Sequence, residues 1–465
     1  MRKTEYGRFG APGVIFAGLA ICLLAAVSAS MALGAKGDLD LGSRQSDAAG
    51  GAGANSWSYE GSLSDDGRFL AFRSEATNLD VEDSGSFETT VYVYDFDENT
   101  VETVSRESNL GPPAAGDSRE EEISGNGRFV VFRTDAQNLG GPIVADENIY
   151  VYDRRKDEVE LISRRSEAAG GEGADANSGT PTISANGRYV SFQTRSTNLG
   201  GPITDDGFTN VYVRDRKKER TFLVSRRSDG GKGGKDDSFE PSIAPDAPVV
   251  VFESQARNLG GPIKNSASAN VYAHDWSTGR TSMVSRRSDG GAGVNSSADV
   301  PDVSASGRYV AFQTAATNLG GPISGTTDQT NLYLHDRKTG STKLVSRQSK
   351  NDGGQGVDGN ALRPSLSNSG RYVAFQTSAN NLGGPILASS NSYVYDRKRK
   401  VVTLVSRAGG GGPGANEAGT DPAIAGGGGF VAFTTEADNI DPPGQPAFHG
   451  NFPPATNVYR FQLRP

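Results

Sequence analysis

The chain has 465 residues, of which 61 are glycine and 35% are hydrophobic, and its formal net charge is −8. An acidic chain repels phosphate backbones and anionic headgroups, so the composition argues against nucleic acid and anionic membranes as partners. The single cysteine, Cys22, lies near the N-terminus, so no disulfide or thiol chemistry is expected in the rest of the chain.

Residues 1–35 have the pattern of an export signal. Arg2, Lys3 and Arg8 precede an apolar run from Val14 to Ser30, and small residues follow. The run is close to membrane-spanning length, so both a cleaved signal peptide and an uncleaved N-terminal membrane anchor stay open. Either outcome predicts an exported chain, which is periplasmic, on the cell surface or secreted and which touches a membrane only through this segment.

The remainder of the chain repeats one pattern seven times. The phenylalanine of the "VAF"-like motif recurs at spacings of 60, 60, 60, 60, 63 and 58 residues: Phe72, Phe132, Phe192, Phe252, Phe312, Phe375 and Phe433. A fixed period of this size indicates a closed or stacked array of supersecondary units.

Each unit contains four short runs that favour β-strands, here named A to D. In the fifth unit these are Pro301–Ser304, Arg308–Thr314, Asn331–Asp336 and Thr342–Arg347, all rich in Tyr, Val and Thr. Strands A and B are joined by tight turns such as "DDGR" and "ANGR", in which Asp-Gly and Asn-Gly favour hairpins. Each unit is therefore predicted to be a four-stranded antiparallel sheet.

The two ends of the chain predict that the seven sheets close into a ring. The last unit has runs A to C and stops at Pro465 without a D strand, whereas Leu39–Arg44 is a D strand without a unit. The fold class is therefore all-β, a seven-bladed β-propeller over residues 36–465 whose N-terminal strand completes the last blade. The predicted blades are 57–106, 117–164, 177–226, 237–286, 297–347, 360–407, and 418–465 together with 39–44.

The repeat "P-x-[I/L/V]-S-x-x-G-R-Y-V-A-F-x-[S/T]…T-N-L…N-V-Y-V-Y-D-R…T-x-L-V-S-R" resembles that of the TolB family, a relative of WD repeats. Similar repeats occur in the propellers of tricorn-like and dipeptidyl-peptidase-like proteases. The resemblance covers roughly Leu39 to Pro465 and implies the propeller fold. We expect neither the additional α/β domain of TolB nor a hydrolase domain, and therefore neither a full TolB role nor pore gating for a peptidase.

The connections between strands predict where binding takes place. The A–B and C–D turns are short and share one face of the disc, whereas the long B–C and D–A connections share the other face. Long loops on a rigid scaffold are the usual place for binding. We therefore predict that the long-loop face binds a protein, peptide or glycan partner.

Residues that the repeat does not require are the candidates for this site. The position just before each strand A, nearest the channel mouth, varies from unit to unit: Glu60, Glu120, Thr180, Glu240, Val300, Arg363 and Asp421. Four acids and one Arg would converge there. These charges either are solvated loop residues or form an electronegative channel mouth for a cationic group or a metal ion. Aromatic residues on the same face could add a stacking surface or pack within the loops: Trp57, Tyr59, Phe239, Phe208 and Phe448.

Catalytic and metal-binding motifs are largely missing from the sequence. There is no G-x-S-x-G, no H-E-x-x-H and no Cys/His zinc set, and we assign no catalytic residue and no cofactor. His274 and His335 occupy equivalent strand C positions and are predicted to have a structural packing role. The clusters Val81–Gly85 and Thr204–Gly207 could hold Ca²⁺, although they lack regular ligand spacing.

Three functions remain open at this stage. The first is an exported, non-catalytic, monomeric binding propeller. The second is a carbohydrate-active hydrolase or lyase that uses carboxylates at the channel mouth, such as Glu60, Glu120 or Glu240. The third is a purely structural envelope protein.

Overall fold

The structure, a computed structural model, describes residues 37–79, 88–203, 207–228, 230–264, 268–288, 290–323, 329–445 and 455–463. Within these ranges the chain forms seven four-stranded antiparallel sheets and short 3-10 turns, without an α-helix. The predicted fold class is confirmed. None of the described residues belongs to a helix with the length and apolar character of a membrane span, and the predicted export segment lies outside the described residues.

Each blade runs from strand A to strand D in sequence order, and the bounds are as follows. Blade 1 has Ser58–Leu63, Phe69–Ser74, Thr90–Asp95 and Thr100–Thr103; blade 2 has Ser118–Ile123, Phe129–Thr134, Asn148–Asp153 and Glu158–Leu161; blade 3 has Ser178–Ile183, Tyr189–Thr194, Asn210–Asp215 and Arg220–Leu223; blade 4 has Ser238–Ile243, Val249–Ser254, Asn270–Asp275 and Arg280–Met283. Blade 5 has Ala298–Val303, Tyr309–Thr314, Asn331–Asp336 and Ser341–Leu344; blade 6 has Ala361–Leu366, Tyr372–Thr377, Asn391–Asp396 and Val401–Leu404; blade 7 has Thr420–Ile424, Phe430–Thr435, Asn457–Gln462 and, as strand D, Leu39–Leu41. The 3-10 turns are Asp47–Ala49, Glu167–Ala169, Arg216–Lys218, Lys350–Asp352 and Gly409–Gly411.

The N-terminal strand closes the ring as predicted. Leu39 pairs with Phe461 and Leu41 pairs with Tyr459 in antiparallel register. Arg460 donates to the Asp40 carboxylate at 2.7 and 3.1 Å, which fixes the same two strands through their side chains. Leu41 is fully buried, so the closure also completes the apolar core of blade 7.

The core lies between neighbouring blades, which explains why strands B and C are apolar on both faces. In each blade the repeated phenylalanine of strand B stacks on a strand C tyrosine, as Phe312 does on Tyr333 at 6.2 Å. The same cluster includes Val251 and Val271 of blade 4, so each blade buries residues of the next. The periodic apolar pattern therefore specifies both the sheet and its stacking.

Two repeated charged motifs serve the architecture. The arginine of each "GR" turn binds the aspartate that ends strand C in a bidentate pair, as Arg68 does with Asp95 at 2.9 and 2.6 Å. The arginine of the "SR" motif donates to a carbonyl of the glycine-rich D–A connection that follows it, as Arg164 does to Gly171 at 2.9 Å. The structure places the acceptor in the D–A connection because the chain turns back there beside strand D.

Main-chain hydrogen bonds join all seven blades at the short-turn end of the channel. Each A–B turn donates an N–H to a carbonyl in the turn of the next blade, and the last of these bonds runs from Gly427 to Asp65 at 2.8 Å, back to blade 1. The series is Asp65 to Gly125, Asn126 to Ala185, Ala185 to Pro245, Asp246 to Ala305, Ala305 to Asn368, Asn368 to Gly426, and Gly427 to Asp65. This closed series ties the turns together around the axis.

Candidate functional site

The seven candidate positions lie inside strand A of each blade, and not just before it as the sequence analysis expected. Glu240, for example, is the third residue of its strand, at a bulge between the pairs Phe239–Glu253 and Ser242–Val251. All seven residues have a left-handed backbone, with φ between 43° and 55°. This conformation is rare for residues other than glycine, and most of all for a β-branched residue such as Val300.

The bulge directs the main-chain N–H of four candidates toward a side-chain acceptor of the preceding blade. There the N–H of Glu240 donates to Oε1 of Gln193 at 2.8 Å, and that of Arg363 donates to Oε1 of Gln313 at 3.0 Å. Both glutamines belong to the "FQT" motif of strand B. The hydrogen bond satisfies an amide that has left the strand ladder, which helps to hold a backbone conformation that costs about 1 kcal/mol or more.

The bulges surround a cavity of about 630 Å³ at the long-loop end of the channel. Four predicted candidates line it, namely Glu60, Glu240, Arg363 and Asp421. Three further carboxyl groups join them: Glu121, Glu253 and Asp299. Six acids therefore line this cavity, which we call the mouth cavity, together with one arginine.

The candidate Glu120 does not line the mouth cavity. One of its oxygens pairs with Nη1 of Arg133 at 2.7 Å, and the other accepts the main-chain N–H of Thr180 at 2.7 Å. Arg133 also pairs with Glu147. Glu120 therefore accepts the main-chain N–H at the bulge of the next blade, as a glutamine does in other blades. This role gives Glu120 a structural reason for its presence.

Arginines compensate the acids of blades 1 and 7. Nη2 of Arg73 lies 3.4 Å from Oε1 of Glu60. Arg363, the single cation in the lining, is paired with Asp421 of the next blade. These pairs leave the acids of blades 2, 4 and 5 as the uncompensated part of the mouth cavity.

Glu121 is the most unusual group in the mouth cavity. Both of its carboxyl oxygens are buried, and neither makes a hydrogen bond within the described part of the chain. Burial and the neighbouring Glu60 raise the pKa of the Glu121 carboxyl to about 8, although Arg73 and nearby main-chain amides partly oppose this shift. Five other blades have proline at this position and blade 1 has glycine. The repeat therefore does not require this carboxyl group.

Three more carboxyls meet at blades 4 and 5. Burial, followed by the repulsion of Asp299 and Glu240, raises the pKa of Glu253 to about 7. Burial also raises the pKa of Asp299, which the Gln313 amide partly offsets. The pKa of Glu240 is raised by burial and by Glu120, and Arg363 lowers it. A cation that entered here would relieve the repulsion among these groups.

A second cavity of about 330 Å³ continues from the mouth cavity along the axis and shares Glu240, Val300 and Pro364 with it. Its wall is tied together between blades by side chains, as where the N–H of Leu366 donates to Oδ2 of Asp302 at 2.6 Å. Burial, followed by the repulsion of Asp302, raises the pKa of Glu122 in this wall to about 8. The interior of the channel is therefore also rich in carboxyl groups.

The predicted aromatic candidates are placed around the mouth cavity rather than in its lining. Trp57 contacts Tyr59 edge to face at 6.0 Å, and the Tyr59 hydroxyl donates to Glu75 at 3.1 Å. Arg73 lies over the Tyr59 ring at 5.2 Å. Phe239 is half-buried beside the bulge. Phe448 lies outside the described residues.

No group of three or more His, Cys, Asp or Glu side chains in the described part of the chain has the geometry of a metal site. The predicted Ca²⁺ candidates, Val81–Gly85 and most of Thr204–Gly207, lie outside the described residues. His274 and His335 are buried, and each contacts a strand D threonine at 2.9 Å, in line with a structural role.

Sequence reasoning missed five carboxyl groups of the channel: Glu121, Glu122, Glu253, Asp299 and Asp302. A signal was present for most of them, because Glu121 stands in place of proline and Glu253 in place of the "FQT" glutamine. The search for non-repeated residues covered only one position per unit. Extended to every position of strands A and B, it would have found these groups.

No family model and no curated protein matches the sequence. Several solved structures are similar in fold. The β-propeller domain of the Trilobed protease from Pyrococcus furiosus is 11% identical with a TM-score of 0.50, and the match covers 88% of this chain and 97% of that one. TolB from Acinetobacter baumannii is 14% identical with a TM-score of 0.39, over 75% of this chain and 62% of the TolB chain. A putative TolB from Agrobacterium tumefaciens is 12% identical with a TM-score of 0.41, over 80% and 97%. At these identities the similarity concerns the fold alone, and the match to the propeller domain of the Trilobed protease agrees with the β-propeller seen here.

Proposed function

We propose that the chain is an exported binding propeller that takes a lysine or arginine side chain of a protein or peptide partner into its mouth cavity. The observation that carries this proposal is the buried, unpartnered carboxyl of Glu121, which faces the same cavity as Glu240, Glu253 and Asp299. A cation that enters can pair with several carboxylates in a site partly shielded from water.

The lining and its rim favour a protein or peptide over a glycan. Val300 and Pro364 provide apolar contact for the aliphatic part of a basic side chain. Among the described residues, three of the four exposed large hydrophobic side chains lie in long B–C or D–A connections: Leu110, Val144 and Leu387. Exposed apolar residues in surface loops are typical of protein-binding surfaces.

Calorimetric titration with a capped pentapeptide that contains one central lysine tests the proposal. We expect binding that weakens with salt and that is lost when norleucine replaces the lysine. The double variant Glu121→Gln/Glu240→Gln should weaken binding by about tenfold or more, because it removes the Glu240 carboxylate and an acid at Glu121 that can ionise beside the bound cation. Glu417→Gln, which removes an exposed acid in a D–A connection, is the matched control and should bind like the wild type.

Equal binding of the lysine and norleucine peptides would contradict the proposal, and so would unchanged binding by the double variant. A purely structural role predicts no specific partner at this face. Pull-down from envelope extract, compared with a variant in which residues 57–60 and 239–240 are changed to Ser or Ala, separates that role from binding.

A carbohydrate-active hydrolase or lyase is the second candidate function, and the raised pKa values favour it. Glu253, with a pKa of about 7, shares the cavity with acids that are paired with an arginine, such as Glu60. Carboxyls whose pKa values are pushed apart can act as acid and base at neutral pH. Release of reducing ends from a panel of polysaccharides by the wild type, lost in Glu253→Gln and Glu240→Gln, would support this function. The absence of turnover across the panel would contradict it.

A further inference from the structure

A basic groove lies between blades 5 and 6, away from the mouth cavity. Its volume is about 710 Å³, and five cationic side chains line it: Lys343, Arg347, Lys350, Arg397 and Lys400. The whole chain carries a net charge of −8, so this is a local reversal of sign. We call it the basic groove.

Two other interfaces between blades carry an ion pair at the equivalent place. The residue after strand C of one blade meets a strand D residue of the preceding blade. Arg216 pairs there with Glu160 at 2.8 Å, and Arg154 pairs with Glu102. At the blade 5 to blade 6 interface the arginine, Arg397, is kept. The strand D position, however, holds Lys343 in place of a glutamate.

No carboxylate within the described residues compensates the five cations by an ion pair. Asp336, the acid in the lining, is held by Arg308 at 2.8 and 2.7 Å. Arg397 is oriented by a hydrogen bond from Nε to the Gly370 carbonyl at 3.0 Å and by the Tyr309 ring at 4.2 Å. The guanidinium of Arg397 is therefore positioned, and its two terminal nitrogens remain for a ligand.

The hydroxyl of Tyr395, which lies in the groove, lacks the hydrogen-bond acceptor that the equivalent tyrosines have in blades 1 and 2. In blade 1 the Tyr94 hydroxyl donates to Asn99 at 3.3 Å, and in blade 2 Tyr152 donates to Asp157. The equivalent residue of blade 6 is Lys400, which is itself a donor. Tyr395 makes no such hydrogen bond, so its hydroxyl is available beside Arg347 and Arg397.

We propose that the basic groove binds a tetrahedral oxyanion, a phosphate or sulfate ester carried by a sugar-sized molecule. The groove presents guanidinium and ammonium donors around a hydroxyl donor. Such a set of donors fits an anion with several acceptor oxygens better than it fits a single carboxylate ligand. The cavity volume is that of a small-molecule site. This site is independent of the mouth cavity and of the function proposed for it.

Titration with sodium phosphate, sodium sulfate, glucose 6-phosphate and glucose tests the proposal on the intact chain. We expect the three anions to bind and glucose not to bind. Lys343→Glu should weaken anion binding by about tenfold or more, because it recreates the Glu–Arg pair of the other blades and removes a charge. The variant copies a pair already present twice in this chain, so it should fold. Lys217→Glu makes the same charge change at an exposed site in blade 3 and should bind like the wild type.

Lys400→Asn, which restores the acceptor found beside Tyr94, should also weaken anion binding. Failure of the wild type to bind any of the anions would overturn the proposal, as would unchanged affinity in Lys343→Glu. Binding to phosphatidylglycerol vesicles without binding of glucose 6-phosphate would overturn it in favour of a lipid headgroup.

Discussion

Replacing Glu121 by glutamine should stabilise the protein at alkaline pH and leave its stability at acidic pH nearly unchanged. Glutamine has the same shape as the protonated carboxylic acid and carries no charge. In the folded protein the carboxyl is buried without a hydrogen-bond partner, which raises its pKa from 4.5 to about 8. Between these two values the unfolded chain is ionised at Glu121, whereas the folded chain keeps the proton.

The direction and size of the effect follow from this difference. Folding takes up a proton between pH 4.5 and about pH 8, so the free energy of unfolding falls as the pH rises through that window and is lowest above it. One unit of pKa is about 1.36 kcal/mol, so the full loss is on the order of 5 kcal/mol. The glutamine variant lacks this loss, and its advantage over the wild type should grow from near zero at pH 5 to several kcal/mol at pH 9.

Urea unfolding of the wild type and Glu121→Gln at intervals between pH 5 and pH 9 measures this difference. Glu122 has a similar raised pKa and will leave some pH dependence in both proteins, so the difference between the two curves is the quantity to compare. The exposed Glu417→Gln serves as the control and should follow the wild type. A constant difference across the range would refute the assignment of Glu121 as a buried, unpartnered carboxyl.

Three further changes test the fold. Val300→Gly should raise the free energy of unfolding by about 1 kcal/mol, because glycine adopts positive φ without strain. Val401→Gly, at an exposed strand position with ordinary φ, should lower the free energy of unfolding. Urea unfolding of both variants measures the two effects. Leu41→Ala should cost about 3 kcal/mol in the same assay, because its side chain is fully buried in the ring closure; an unchanged midpoint would show that the closing strand is dispensable. Burial lowers the pKa of His335 to about 4, so the stability that depends on its neutral imidazole is present above pH 6.5 and is lost as the pH falls toward 4. His335→Tyr/Thr342→Val copies a Tyr–Val pair found in three other blades, so the midpoint of the acid-induced fall in Tm should shift to lower pH. An identical midpoint in both proteins would contradict the buried neutral imidazole.

The architecture could be predicted from the sequence because the same strand and turn pattern occurs in seven repeats. The period, the turn pairs and the unmatched D strand at Leu39 together specify the blades and their closure. The bulge in strand A could not be predicted in the same way. Left-handed backbone is usually signalled by glycine, whereas Glu240 and Arg363 adopt it where a glutamine of the preceding blade accepts their main-chain N–H.

The site was only partly predictable for a related reason. The charges of Glu60, Glu240, Arg363 and Asp421 stood out, and the structure brings these four side chains to one cavity. Which of them are compensated depends on pairs within and between blades, such as Glu60 with Arg73 and Arg363 with Asp421, and these pairs depend on side-chain directions at the bulge. The buried state of Glu121 likewise depends on its neighbours and not on its own place in the repeat.

The hydrogen bonds between the A–B turns have a consequence for how the molecule loses its structure. In an open array of repeats, the terminal units have one neighbour each and fray first. Here the bond from Gly427 to Asp65 gives blade 7 and blade 1 the same number of neighbours as the rest. No unit is terminal, so partial melting has no preferred starting point, and denaturation should proceed as a single cooperative step.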